Sequence, residues 1–167
     1  MKKLALLLLL AGRLGALRAE DGYRLWLRYD RLTDTALLRS YRSLLDGLEF
    51  RAGSPTLLAA RRELCMGLVG MLAMPHDTLA PAPGSLPAHC MLVGTPRSLP
   101  ALAAFHLDDN LAALGEEGYL IRAITIAGSQ HILIAAATDK GILYGVFHFL
   151  RLLQTHASLT RIGIGSS

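Results

Sequence analysis

Aromatic residues are scarce in this 167-residue chain, at 6% with a single Trp, and charged residues reach only 18%. No apolar run approaches the roughly 18 residues of a membrane-spanning helix. There is no GxSxG elbow for a nucleophilic serine, and neither GxxxxGK[ST] nor GxGxxG for phosphates. At 167 residues the chain falls short of the roughly 250 that a (β/α)₈ barrel typically needs, and it suits one domain. What is abundant is apolar: 52% hydrophobic residues and a mean hydropathy of +0.38 exclude wholesale disorder and predict a Leu/Ala core.

The net charge of +4 is a local effect. Lys2, Lys3, Arg13 and Arg18 precede the first acid, Glu20. Taking those four from the 17 Lys and Arg leaves 13 cations against 13 acids, so no basic surface for nucleic acid is implied. The same segment reads as an export signal. Lys2 and Lys3 form a positive start, and Leu4 to Ala11 is an apolar run of signal-peptide length. Residues 1–19 are the expected signal peptide, with cleavage after Ala19. Leu17 is bulkier than the usual residue three places before the cut, and Arg13 interrupts the tail. Export to the periplasm or the extracellular space implies an oxidising compartment. Cys65 and Cys90 could pair there or stay as two buried thiols.

Arg24 to Tyr29 alternates polar and apolar, the pattern of a half-buried strand. Thr33 or Asp34 is expected to cap a helix carrying Leu37, Leu38, Tyr41, Leu44, Leu45 and Leu48. Gly53 stops it, and Ser54-Pro55 supplies N-cap and N1 of a second helix through Leu57, Leu64, Leu68 and Leu72. Four prolines between Pro75 and Pro87 mark a loop. A strand is expected at Cys90 to Val93, then a helix from Leu99 to Leu114 capped by Ser98 and closed by Gly115. Tyr119 to Ala127 and Gln130 to Ala136 read as a hairpin around a type II′ turn at Gly128-Ser129. Thr138-Asp139 caps a last helix, Lys140 to Thr155. The order β-α-α-β-α-β-β-α predicts an α+β fold of two layers, a mixed sheet of four or more strands with helices packed on it.

The chemistry-bearing residues do not assemble on paper. His76, His89, His106, His131, His148 and His156 lack zinc-site spacings, so no metal site is assigned. Asp108-Asp109 and Glu116-Glu117 are adjacent acids. Neighbours on a helix point about 100° apart, so the first pair cannot face one substrate together. Gly94 to Ser98 reads as a plain turn between strand and helix. No catalytic, cofactor-binding or metal-ligating residue is assigned, and no cofactor.

Glu20 to Tyr29 (EDGYRLWLRY), Gly118 to Arg122 (GYLIR) and Gly141 to Gln154 (GILYGVFHFLRLLQ) resemble the N-terminal domain of bacterial xylan α-glucuronidases, glycoside hydrolase family 67. The likeness covers residues 20–159, and its looser form occurs in the accessory domain preceding the barrel of β-hexosaminidases. The resemblance implies a parent enzyme that removes 4-O-methylglucuronic acid from xylo-oligosaccharides with inversion. It places the catalytic carboxylates in a TIM barrel C-terminal to this domain, so glucuronoxylan oligosaccharides would be bound through that barrel. The chain is then expected to be a non-catalytic fragment, with residues 160–167 a truncated tail. The alternative is a stand-alone carbohydrate- or partner-binding module without enzymatic activity. Against that alternative, Trp26 is the only Trp, and alternation sets it with Arg24 and Arg28 on the polar side of its strand.

The last helix carries one further expectation. At 100° per residue its apolar arc, from Leu152 and Phe149 round to Phe147, is about 220° wide. A helix buried on one side needs little more than about 100°. It should therefore have a second apolar neighbour, and Leu143 and Phe147 are expected to be partly exposed without one.

Overall fold

A computed structural model of the chain describes residues 29–79 and 88–166. The expected signal peptide, Trp26 and most of the strand expected at 24–29 lie outside these residues, and Tyr29 itself has no regular structure.

The first helix, α1 (Thr35–Arg42), begins where the sequence places it. The Asp34 carboxylate accepts from Ala36 N at 2.9 Å and Leu37 N at 3.0 Å. These two bonds hold its carboxyl below the usual range. The helix does not run to Leu48. It ends at Arg42, and Gly47–Phe50 form a strand, β1. The helical leucine spacing runs on past the helix end, and Leu44, Leu45 and Leu48 are buried although none of them lies in α1. The change of conformation is made by a distant partner: Asp46 N donates to His89 O at 2.6 Å, and β1 then pairs in parallel with β2 (Cys90–Gly94) from Gly47 opposite Cys90.

Helix α2 (Pro55–Leu72) has Ser54 as N-cap, its hydroxyl accepting from Leu57 N at 3.1 Å, and Pro55 at its first position, as expected. Its last turn lacks a glycine stop. Ala73 takes the left-handed conformation (φ 47°), and Arg42 donates to Leu72 O at 2.7 Å and Ala73 O at 3.3 Å.

The single helix expected from Leu99 to Leu114 is two pieces, a 3₁₀ segment Pro100–Phe105 and α3 (Asp108–Ala113), broken at His106 with φ 50°. Leu102 and Leu107 explain the break. In one continuous helix they would point about 140° apart, yet both are buried against the same sheet face. Ser98 is not a helix cap: its hydroxyl accepts from Thr95 N at 2.9 Å within the turn. Gly115 does close α3, with φ 76°.

Strands β3 (Tyr119–Ile126) and β4 (Ser129–Ala135) pair antiparallel as expected, with Ile126 opposite Ser129. The loop is therefore Ala127-Gly128, one residue earlier than the sequence pattern suggests. Both residues have positive φ, 48° and 83°, which makes the turn type I′ instead of II′. Helix α4 (Asp139–Gln154) follows, capped by Thr138, whose hydroxyl accepts from Gly141 N at 3.1 Å. Residues Gly163–Ser166, within the stretch expected to be a tail, form β5 against β3.

The sheet is mixed and five-stranded, ordered β1-β2-β4-β3-β5. β1, β2 and β4 are parallel, and β3 runs antiparallel to both β4 and β5. Alternation along the strands sorts two cores. Leu48, Phe50, Met91, Val93, Ile121, Ile132 and Ile134 face the layer of α1, α2 and α4. Cys90, Leu92, Leu120, Leu133 and Ala135 face the segment from Leu99 to Leu111. This is the α+β architecture the element order implies, with a short helical cover on the second sheet face.

Helices α2 and α4 lie side by side in the same direction. Ser54 Oγ donates to Asp139 Oδ2 at 2.6 Å where both begin, and Gly67 meets Leu150 further along. A Cβ at Gly67 would overlap Leu150 Cδ2, so glycine sets how closely the helices approach.

Candidate functional site

The acids come first, because glycoside hydrolysis by inversion needs two carboxyl groups facing each other across a pocket, about 6.5–9.5 Å apart. Asp108 and Asp109 sit in the first turn of α3, and Glu116 and Glu117 in the connection after it; all four are exposed. Glu117 pairs with Lys140 Nζ at 3.2 Å, which raises the Lys140 pKa. Asp139 is engaged by Ser54, and Glu63, buried on α2, accepts from the Tyr29 hydroxyl. Glu117, Asp139 and Glu63 thus tie elements together, while Asp108, Asp109 and Glu116 lie exposed at the surface.

The cysteines are both free, and they belong to different cores: Cys65 is half-buried on α2 and Cys90 buried on the second sheet face. Burial pushes the Cys65 thiol up and the Cys90 thiol up to about 11. A nucleophilic thiol needs the opposite shift. His131, beside Cys90, does not act as its base, since its Nδ1 accepts from Cys90 N at 3.1 Å while the thiol donates to Met91 O at 3.3 Å. Burial lowers the His131 pKa, favouring the neutral ring that this acceptor role requires.

His148 is paired with Tyr119. The phenol oxygen is 2.7 Å from Nδ1 and the rings meet edge-on, with centroids 5.6 Å apart. Burial, with Arg151 nearby, lowers its pKa. The pair pins α4 to β3. His89 Nδ1 contacts Gln130 O at 3.1 Å, while His76, His106 and His156 are exposed. Among the described residues, no group of three His, Cys, Asp or Glu side chains could hold a metal ion.

One cavity, of about 310 Å³, opens between the ends of α1 and α2 and is lined by Arg42, Leu45, Asp46, Ala73, Met74, Pro75 and Thr78. Arg42 is already committed to the α2 carbonyls, and among the described lining residues Asp46 is the only acid. The turn from Gly94 to Ser98 is closed by its own hydroxyls, Thr95 N donating to Ser98 Oγ and Ser98 N to Thr95 Oγ1 at 3.2 Å. Sequence spacing gave no signal for Ser54–Asp139, Tyr29–Glu63 or Tyr119–His148, whose partners are 85, 34 and 29 residues apart.

What the described surface does offer is apolar. Leu58, Met66 and Tyr144 are 41%, 45% and 41% exposed. On α4, Ile142, Val146, Phe149, Leu150 and Leu153 are buried, whereas Leu143, Phe147 and Leu152 are only half-buried. The wide arc of this helix thus has α2 as its second neighbour, and α2 covers it incompletely. No described helix is long and apolar enough to cross a membrane.

Residues 25–149 match the family model described as Glycosyl hydrolase family 67 N-terminus. A search of curated proteins finds no match to the chain.

Proposed function

From the premise that this chain belongs to the family of glycosyl hydrolase family 67 N-terminal domains, we propose that it is the non-catalytic front domain of an exported α-glucuronidase. Its role is to pack beside a C-terminal catalytic barrel and support it. The parent reaction is removal of 4-O-methylglucuronic acid from xylo-oligosaccharides in glucuronoxylan breakdown, with both carboxylates supplied by the barrel. The family match carries the reading. It is supported by the scatter of the acids, of which Glu63, Glu117 and Asp139 are engaged in structural contacts, and by the apolar side chains that α2 and α4 leave outward. The segment Met1 to Ala19 supports the export.

The deciding experiment is release of 4-O-methylglucuronic acid from aldouronic oligosaccharides by the purified chain. The expected result is no release above a buffer blank. Turnover that disappears when one acid of this chain is replaced would overturn the proposal.

A further inference from the structure

The cavity between the ends of α1 and α2 is lined by two opposite charges that do not pair with each other. Arg42 and Asp46 both line it, with the Thr78 hydroxyl group beside them. Arg42 is half-buried and held in place: its Nε donates to Leu72 O at 2.7 Å and its Nη2 to Ala73 O at 3.3 Å. Those bonds use two N–H groups, and the rest of the guanidinium fork remains for a ligand. Among the described residues no carboxylate pairs with Arg42, and the Asp46 carboxylate has neither an ion pair nor a hydrogen bond. Ala73 lies in the same wall with φ 47°, a strained conformation of the kind that collects at ligand sites.

We propose that this cavity binds a small free α-amino acid with an apolar side chain, its carboxylate on Arg42 and its ammonium on Asp46. Charge selects the ligand. A lone anion would leave Asp46 without a partner and a lone cation would leave Arg42 without one, whereas a zwitterion satisfies both. The carbonyl end of α2, the negative pole of that helix, meets the cavity at Ala73 and favours the ammonium. The remaining described walls, Leu45, Ala73, Met74 and Pro75, are apolar and match a hydrocarbon side chain. At about 310 Å³ the cavity is small; ligand pockets run from roughly 300 to 1,000 Å³. That size suits one amino acid and not an oligosaccharide. The inference does not depend on the proposed enzymatic parent.

The test is calorimetric titration of the full chain with L-valine, N-acetyl-L-valine, L-valinamide and glucuronate. L-valine is expected to saturate one site. N-acetyl-L-valine lacks the ammonium and L-valinamide the carboxylate, so each should bind at least tenfold more weakly. Asp46→Asn removes a charge that no described contact uses. It should weaken L-valine binding at least tenfold and leave the thermal midpoint unchanged. Any of four results would overturn the proposal: no saturation by L-valine, equal affinity for either blocked derivative, tighter binding of glucuronate, or an affinity unchanged by Asp46→Asn.

Discussion

Ser54 Oγ donates to Asp139 Oδ2 at 2.6 Å, joining the starts of α2 and α4 across 85 residues of sequence. The same hydroxyl accepts from Leu57 N as the N-cap of α2. One side chain thus satisfies a helix end and fixes the relative position of the two helices that cover the sheet. Ser54→Ala should cost about 1 kcal/mol from the cap alone, and more where the Asp139 contact counts. Chemical denaturation of the single and double variants with Asp139→Asn reads the coupling; strictly additive losses would show that the contact contributes nothing.

The closest approach of those helices is tested at Gly67. Gly67→Val would push a branched side chain into Leu150 and should destabilise the chain by about 1–3 kcal/mol. Leu150→Ala, itself costly as a core truncation, should recover part of the loss when combined with it. The denaturant midpoints of the two single variants and the double variant decide it.

Ala127 holds φ 48° in the β3–β4 turn, where an L-residue with a Cβ is strained by roughly 1–2 kcal/mol. Type I′ turns favour Asn-Gly. Ala127→Asn and Ala127→Gly should therefore both raise the thermal midpoint, whereas Gly128→Ala should lower it. A lower midpoint for Ala127→Asn would contradict the turn assignment.

Histidine burial sets a pH dependence. The pKa of His131 is lowered from its ordinary value of 6.5. As pH falls, the unfolded chain takes up that proton before the folded one does. The stabilisation is complete well above pH 6.5 and is lost as pH falls below it through the lower folded-state value. His148, shifted the same way, adds to the slope. Denaturant midpoints should fall between pH 7.5 and 5. His131→Gln, which keeps an acceptor for Cys90 N, should flatten the dependence, and an unchanged slope would remove His131 from the account.

Much of this was legible in the sequence because the controlling interaction is local. Asp34, Ser54-Pro55 and Thr138 start their helices through bonds to backbone N–H groups two or three residues on, so the start signal and its effect lie in one window. Helical spacing likewise foresaw that Leu143 and Phe147 of α4 would be incompletely covered, though not Leu152, and three motifs pointed to the family. Other features were decided only by the tertiary structure. Leu44, Leu45 and Leu48 suit a helix as well as a strand, and β1 exists because Asp46 N finds His89 O and β2 beside it. Leu102 and Leu107 split a helix because one sheet face must receive both. The Ala127-Gly128 turn took its place from the β3–β4 register, which buries Ile132 and Ile134 on one face and Leu133 on the other. In each of these cases the local pattern allowed two conformations at similar free energy, and contacts with residues distant in sequence chose between them.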